Sequence, residues 1–145
     1  SEKMKLNTII MHKQRSYVKA NTVEKTILIQ ENEEEDTNEN EGKTAIICDD
    51  IADTCGTLLS VVNELVKHKI TDIICVITHG IFSNNAIEKI DQCSYIKKIY
   101  VSDSVPQEEN IKLCPKLEIF TLSTLLSDVI ERVITRKPIS ELFVL

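Results

Sequence analysis

The fold is decided by the stretch Thr44 to Leu59, TAIICDDIADTCGTLL. Ala45-Ile46-Ile47-Cys48 is a short apolar run of the kind that forms a buried parallel strand. It is expected to stop at two adjacent carboxylates, Asp49 and Asp50, after which the chain runs through Asp53-Thr54-Cys55-Gly56-Thr57. Leu58, Leu59, Val61, Val62, Leu65 and Val66 then recur at helical spacing. A strand, an acid pair, a small hydroxyl-rich turn and a helix start together make a pocket for a sugar phosphate. Amides at a helix start face an anion, and the helix dipole favours negative charge there. Gly56 lets backbone approach closely, while Thr54 and Thr57 add hydroxyl donors. Asp49 and Asp50 suit sugar hydroxyls or a magnesium ion rather than the phosphate itself.

Outward from that stretch, apolar runs alternate with helical patterns. Asn7–Met11 and Val23–Gln30 read as strands, with a polar, basic loop at about 12–22 between them. Residues 31–42 are Asn- and acid-rich and are expected to be a disordered, solvated insertion. After the central strand, a helix is expected over 54–69, a buried strand over 72–78 and a helix over 84–92. Strands follow at 96–101 and 116–121, then a closing helix over 123–136. That helix carries Leu125, Leu126, Val129, Ile130 and Val133 on one stripe, with Ser123 or Thr124 as its cap. Glu108 and Glu109 read as an exposed turn, and His68 as a surface residue at a helix end. The alternation predicts an α/β fold built on a doubly wound parallel sheet. Ligands in such sheets bind outside the carboxyl ends of the strands, where Asp49, Asp50, Thr78 and His79 would gather.

Composition excludes several classes. A chain of 145 residues, 42% hydrophobic, reads as one globular domain, and its 4% aromatic content implies an Ile/Leu/Val core. No apolar run approaches the ~20 residues needed to span a bilayer, and Ser1-Glu2-Lys3 is not expected to begin a signal peptide. The net charge of −6 is local, because residues 31–41 hold seven of the 23 acidic residues. Setting those aside leaves 16 acidic against 17 basic residues, without the basic surplus of a nucleic-acid binder. The five cysteines (Cys48, Cys55, Cys75, Cys93, Cys114) show no C-x-x-C spacing and are expected to be reduced, buried thiols of a cytoplasmic protein, not zinc ligands.

DDIADTCGT resembles the phosphoribosyl-binding loop of type I phosphoribosyltransferases and ribose-phosphate pyrophosphokinases. Two further stretches separate those families. His12-Lys13-Gln14-Arg15 with Lys19-Ala20-Asn21 resembles the catalytic flexible loop of the pyrophosphokinases, and Thr78-His79-Gly80-Ile81-Phe82-Ser83 resembles their segment after the next strand. Val105-Pro106-Gln107-Glu108 and Leu142-Phe143 extend the likeness over nearly the whole chain, against the C-terminal half of such an enzyme only.

The resemblance implies the type I phosphoribosyltransferase-like fold and transfer of the diphosphoryl group of ATP to the 1-hydroxyl of ribose 5-phosphate, with Mg2+. It implies that Asp53, Thr54, Cys55, Gly56 and Thr57 cradle the 5-phosphate, with Asp49 and Asp50 on the ribose. Cys55 stands where many phosphoribosyltransferases have glycine, and a cysteine is small enough for that place. Lys13 is expected to be the principal catalytic cation, with Arg15 its partner on phosphate or ribose, and His12 a residue that shapes the loop. Alone, both cations would read as surface charges. His79, Gly80 and Ser83 fall near the family's regulatory nucleotide or phosphate sites, while a structural role for His79 and a capping role for Ser83 stand equally open. No metal ligand set is assigned within this half. The resemblance also implies a homo-oligomer of dimers, up to a hexamer, with no nucleic-acid or membrane partner. The half enzyme is expected to be inactive alone. Two alternatives stay open: a type I phosphoribosyltransferase, and a non-catalytic regulatory subunit of the synthetase, which would be expected to lose Lys13 and Arg15.

Overall fold

In the computed structural model, residues 9–14, 25–30 and 40–143 are described. Strands β1 (Ile9–Gln14) and β2 (Lys25–Gln30) pair antiparallel, Ile9 opposite Gln30 and Gln14 opposite Lys25. The main sheet is β3 (Thr44–Ala52), β4 (Asp72–Gly80), β5 (Ile96–Ser102) and β6 (Leu117–Phe120), parallel and in sequential order. Helices α1 (Gly56–Lys67), α2 (Ala86–Gln92) and α3 (Glu108–Leu113) make the connections, and α4 (Ser123–Thr135) follows β6. The fold class is α/β with a parallel sheet, as the alternating pattern predicts.

One face of the sheet is buried. Ile73, Cys75 and Ile77 of β4 and Ile99 and Val101 of β5 are fully enclosed. Leu58, Val61, Val62 and Leu65 of α1 lie three and four apart, and with Ala86, Ile87 and Ile90 of α2 they complete that core. The opposite face is open among the described residues, with Ile46 and Cys48 exposed and Ile74 and Val76 half-buried. The run expected to be a buried central strand is therefore a half-open border strand, and Cys48 and the half-buried Cys93 depart from the expected buried thiols. Helix α4 buries no side chain, so its apolar stripe faces outward, Leu126 and Ile130 included.

Ends of elements are fixed by local bonds. Helix α1 closes through the Ile70 amide donating to the Leu65 carbonyl, with Lys69 left-handed (φ 65°) and Ile70 buried behind the turn. His68 is its C-cap residue, 3.9 Å from the Glu64 carboxylate. Helix α2 ends on Lys116, whose ammonium donates to the carbonyls of Ile90, Asp91 and Cys93. At α4 the cap differs from expectation: Ser123 is the first helical residue, and its amide donates to the Thr121 hydroxyl. The Leu122 amide donates to Asp103 at the end of β5 (2.9 Å), and the Thr121 hydroxyl and this amide hold the Asp103 carboxyl below its ordinary 3.8. Arg132 ties α4 to a closing 3-10 turn (Ile139–Phe143) through the Pro138 carbonyl and Glu141.

Three boundaries depart from the sequence reading. Strand β3 runs through Asp49 and Asp50 to Ala52, because pairing with β4 continues to Ala52 opposite Gly80. Residues 108–113 form α3 rather than a turn. Strand β1 reaches Gln14, so His12 and Lys13 are strand positions opposite Ile27 and Thr26. Residues 15–22 of the expected loop and 31–39 of the acidic run lie outside the described residues, while Asn40–Gly42 form a turn with Gly42 at φ 81°.

Gly80, the last residue of β4, leaves no room for a side chain. A Cβ there would lie 2.6 Å from Val101 Cγ2 and closer still to the Phe82 ring, both buried. Gly80→Ala should therefore destabilise the chain by about 1–3 kcal/mol, read as a lower thermal midpoint; an unchanged midpoint would show that Phe82 can step aside.

Candidate phosphate-sugar site

The loop between β3 and α1 is shaped by the backbone before any ligand arrives. Cys55 occupies the N-cap position in a left-handed conformation (φ 59°), which non-glycine residues adopt at a cost. Its thiol is packed into the core (4% exposed) with Leu58 and Ala52, and that burial holds the turn. The Leu59 amide donating to the Cys55 carbonyl (3.0 Å) is the first bond of the helix ladder. Ahead of it the first-turn amides point out of the helix N-terminus, where the dipole favours an anion. Asp53, Thr54 and Gly56 are exposed around that opening and Thr57 is half-buried. No acidic residue lies within the first turn to compete.

The acid pair stands immediately before this loop. Asp49 and Asp50 are exposed, and the Asp50 amide donates to Asp49 Oδ1 (2.9 Å). Although open to solvent, Asp49 is crowded enough that desolvation raises its carboxyl above 3.8. The Asp50 amide opposes that rise, and the neighbouring Asp50 carboxylate adds to it. Two carboxylates leaning together accept sugar hydroxyls or share a cation. Among the described residues no group of three or more metal-ligating side chains occurs. The pair fits a magnesium ion in the way that ion is ordinarily held, by one or two carboxylates together with substrate phosphates and water.

The structure brings Asp49, Asp50, Asp53 to Thr57, His79 and Gly80 to one edge, since Ile51 is opposite His79 and Ala52 opposite Gly80. His79 has a structural partner there: its Nδ1 lies 2.9 Å from Ser104 Oγ. Ser104 in turn joins Ser102, whose buried hydroxyl donates to the Thr78 carbonyl (2.5 Å). Ser83 does not cap α2 with its hydroxyl; the N-cap residue is Asn85, and Ser83 offers its carbonyl to the Ala86 amide. Lys13 belongs to β1, and Arg15 lies outside the described residues. Sequence reasoning quoted Gln107 only as part of the family likeness and gave it no role; it is a buried amide that reaches Gly80, and its polarity hid that burial.

Residues 11–144 match the family described as the phosphoribosyl synthetase-associated domain. The chain belongs to that family. Similar proteins include ribose-phosphate pyrophosphokinase 3 of Saccharomyces cerevisiae, 35% identical over 143 residues, 99% of this chain and 41% of that protein. Ribose-phosphate pyrophosphokinase B of Dictyostelium discoideum is 45% identical over 91 residues, 63% of this chain and 27% of that protein. A crystal structure of phosphoribosylpyrophosphate synthetase from Mycobacterium smegmatis superposes with a TM-score of 0.66 at 27% identity. That match covers 88% of this chain and 37% of the other. The chain thus spans about two fifths of the length of the full-length relatives it matches. Among the described residues no helix is long and apolar enough to cross a membrane.

Two outcomes follow from the site's electrostatics. A carboxyl whose folded value is raised favours the folded chain below 3.8, and that contribution is lost as the pH rises through the folded value. Asp50→Asn should move the Asp49 midpoint back towards 3.8, followed by carboxyl NMR; a midpoint that stays put would mean Asp50 is not felt. Burial also raises the Cys55 thiol to about 11 and the Cys75 thiol to about 12. Brief alkylation of the folded chain at neutral pH should label exposed Cys48 and spare those two, and mass mapping that finds Cys55 modified early would contradict the packed loop.

Proposed function

We propose that this chain is the ribose-phosphate-binding part of a ribose-phosphate diphosphokinase. In this reading the 53–57 loop and the N-terminus of α1 hold the 5-phosphate of ribose 5-phosphate. Asp49 and Asp50 accept the ribose hydroxyls. The observation that carries it is the left-handed turn at Cys55, which sets a helix N-terminus and two threonines beside an acid pair, in a chain of this family.

The reaction proposed for the longer protein joins O1 of ribose 5-phosphate to the β-phosphorus of ATP and breaks the bond from that phosphorus to the oxygen of the α-phosphate. The products are 5-phosphoribosyl 1-pyrophosphate and AMP. Catalysis of this kind is mostly positioning and cationic stabilisation of charge on phosphoryl oxygens. Lys13 is assigned the principal cationic role and Arg15 the supporting one. Mg2+, when bound with the substrate phosphates, would supply further positive charge, with the Asp49–Asp50 pair its available protein ligand. Because the chain spans about two fifths of its relatives, it is proposed to bind ribose 5-phosphate but to be inactive alone, and to act in the cytoplasm as part of a homo-oligomer.

Titration of ribose 5-phosphate onto the 145-residue chain by calorimetry or NMR tests the reading. Binding should weaken at least about tenfold, ~1.4 kcal/mol, in Asp53→Ala and in Thr54→Val. Ribose without the phosphate should bind far more weakly. Equal binding of wild type and both variants would remove the loop from the site.

A further inference from the structure

We infer that Gln107 is a positioning residue for the 53–57 loop, acting from the start of α3 through two peptide groups. Gln107 is the N-cap residue of α3 and is 2% exposed, one of two buried polar side chains among the described residues. Its Nε2 donates to the Gly80 carbonyl (2.7 Å), and its Oε1 accepts from Asn110 Nδ2 (2.7 Å). The Gly80 carbonyl and the Ile81 amide belong to one planar peptide group, so fixing one fixes the direction of the other. On its far side that group meets the loop: the Ile81 amide donates to the Ala52 carbonyl at 2.9 Å, and the Phe82 amide donates to the same oxygen at 3.1 Å. The Ala52 carbonyl shares its peptide plane with the Asp53 amide, the first of the loop. A continuous line of hydrogen bonds therefore runs from Asn110 through Gln107, the Gly80–Ile81 peptide and Ala52 to Asp53.

The surroundings leave this line little freedom. Phe82 sits in the left-handed region (φ 50°) with its ring buried, and Gly80 is wedged between that ring and Val101. A buried amide with both ends bonded is costly to leave half satisfied, so the side chain has one arrangement. Loop geometry that presents the Asp53 to Thr57 backbone to an anion is set in part from α3. The ligand in question rests on the proposed function; the positioning itself does not.

The test compares Gln107→Leu, similar in size but without the amide, with Ile96→Val at the opposite end of β5, a plain loss of core volume. Amide hydrogen exchange and ribose 5-phosphate titration are read on both. In Gln107→Leu the Leu59, Ile81 and Phe82 amides should exchange at least about tenfold faster than the change in global stability accounts for. Ribose 5-phosphate affinity should fall about tenfold, 1.4 kcal/mol. In Ile96→Val exchange should rise evenly and affinity should hold. Gln107→Glu, which cannot donate to Gly80 when ionised, should behave as Leu or worse. If Gln107→Leu does not fold, Asn110→Ala removes the donor that orients the amide and carries the same comparison. Even exchange in the loop and elsewhere overturns the inference. Failure of the wild-type chain to bind ribose 5-phosphate overturns the functional reading alone, since the exchange pattern still decides the positioning.

Discussion

The rest of the structure depends on the one-sided burial of β4. Its Ile73, Cys75 and Ile77 are completely enclosed, and a parallel strand so buried needs helices lying across it. Helices α1 and α2 meet that demand with Leu58, Val62 and Leu65 and with Ala86, Ile87 and Ile90. Register follows from the same constraint, because a shift of one residue would turn Ile73, Cys75 and Ile77 to the open face. With the register set, Ala52 falls opposite Gly80, and the loop leaves the sheet beside the tail of β4. Packing in the middle of the domain thus decides where the carboxylates and the helix N-terminus meet.

The loop itself combines strain and burial. A left-handed cysteine is unfavourable on its own, and glycine would take that conformation more easily. Here the thiol is anchored among Ala52, Leu58 and the α1 core, and that contact offsets the cost. Desolvation suppresses the thiol's ionisation for the same reason. The result is a turn whose shape is fixed by hydrophobic packing within the chain itself.

Much of this was legible in the sequence where period and partner coincide. The α1 stripe and the buried run of β4 each carry their own pattern, and the DDIADTCGT stretch pointed to the family. The Ala45–Cys48 run marks a strand, but a half-exposed border one rather than a buried central one. What failed was local polarity taken as a stop. Asp49 and Asp50 do not end β3, since strand pairing is made by backbone and their side chains face solvent at little cost. Helix α3 went unseen because its anchoring residue, Gln107, is a buried amide and no apolar period marks the segment. The stripe on α4 was legible, but a stripe does not say what it meets, and its leucines are exposed. His79 illustrates the limit from the other side: its partner Ser104 lies 25 residues away and only the sheet brings them together.

The acid pair has a second consequence, drawn from the place of β3 in the sheet. In the sequential order β3 is the border strand of the four, nine residues long, with Ile46 and Ile51 exposed. Long, apolar border strands invite another chain to zip onto their unmatched peptide groups, the first step towards fibrils. Two like charges in mid-strand work against such zipping, because an incoming identical strand would crowd carboxylate against carboxylate. Asp49 and Asp50 therefore act as gatekeepers of the border, and their negative charge keeps copies of this strand apart.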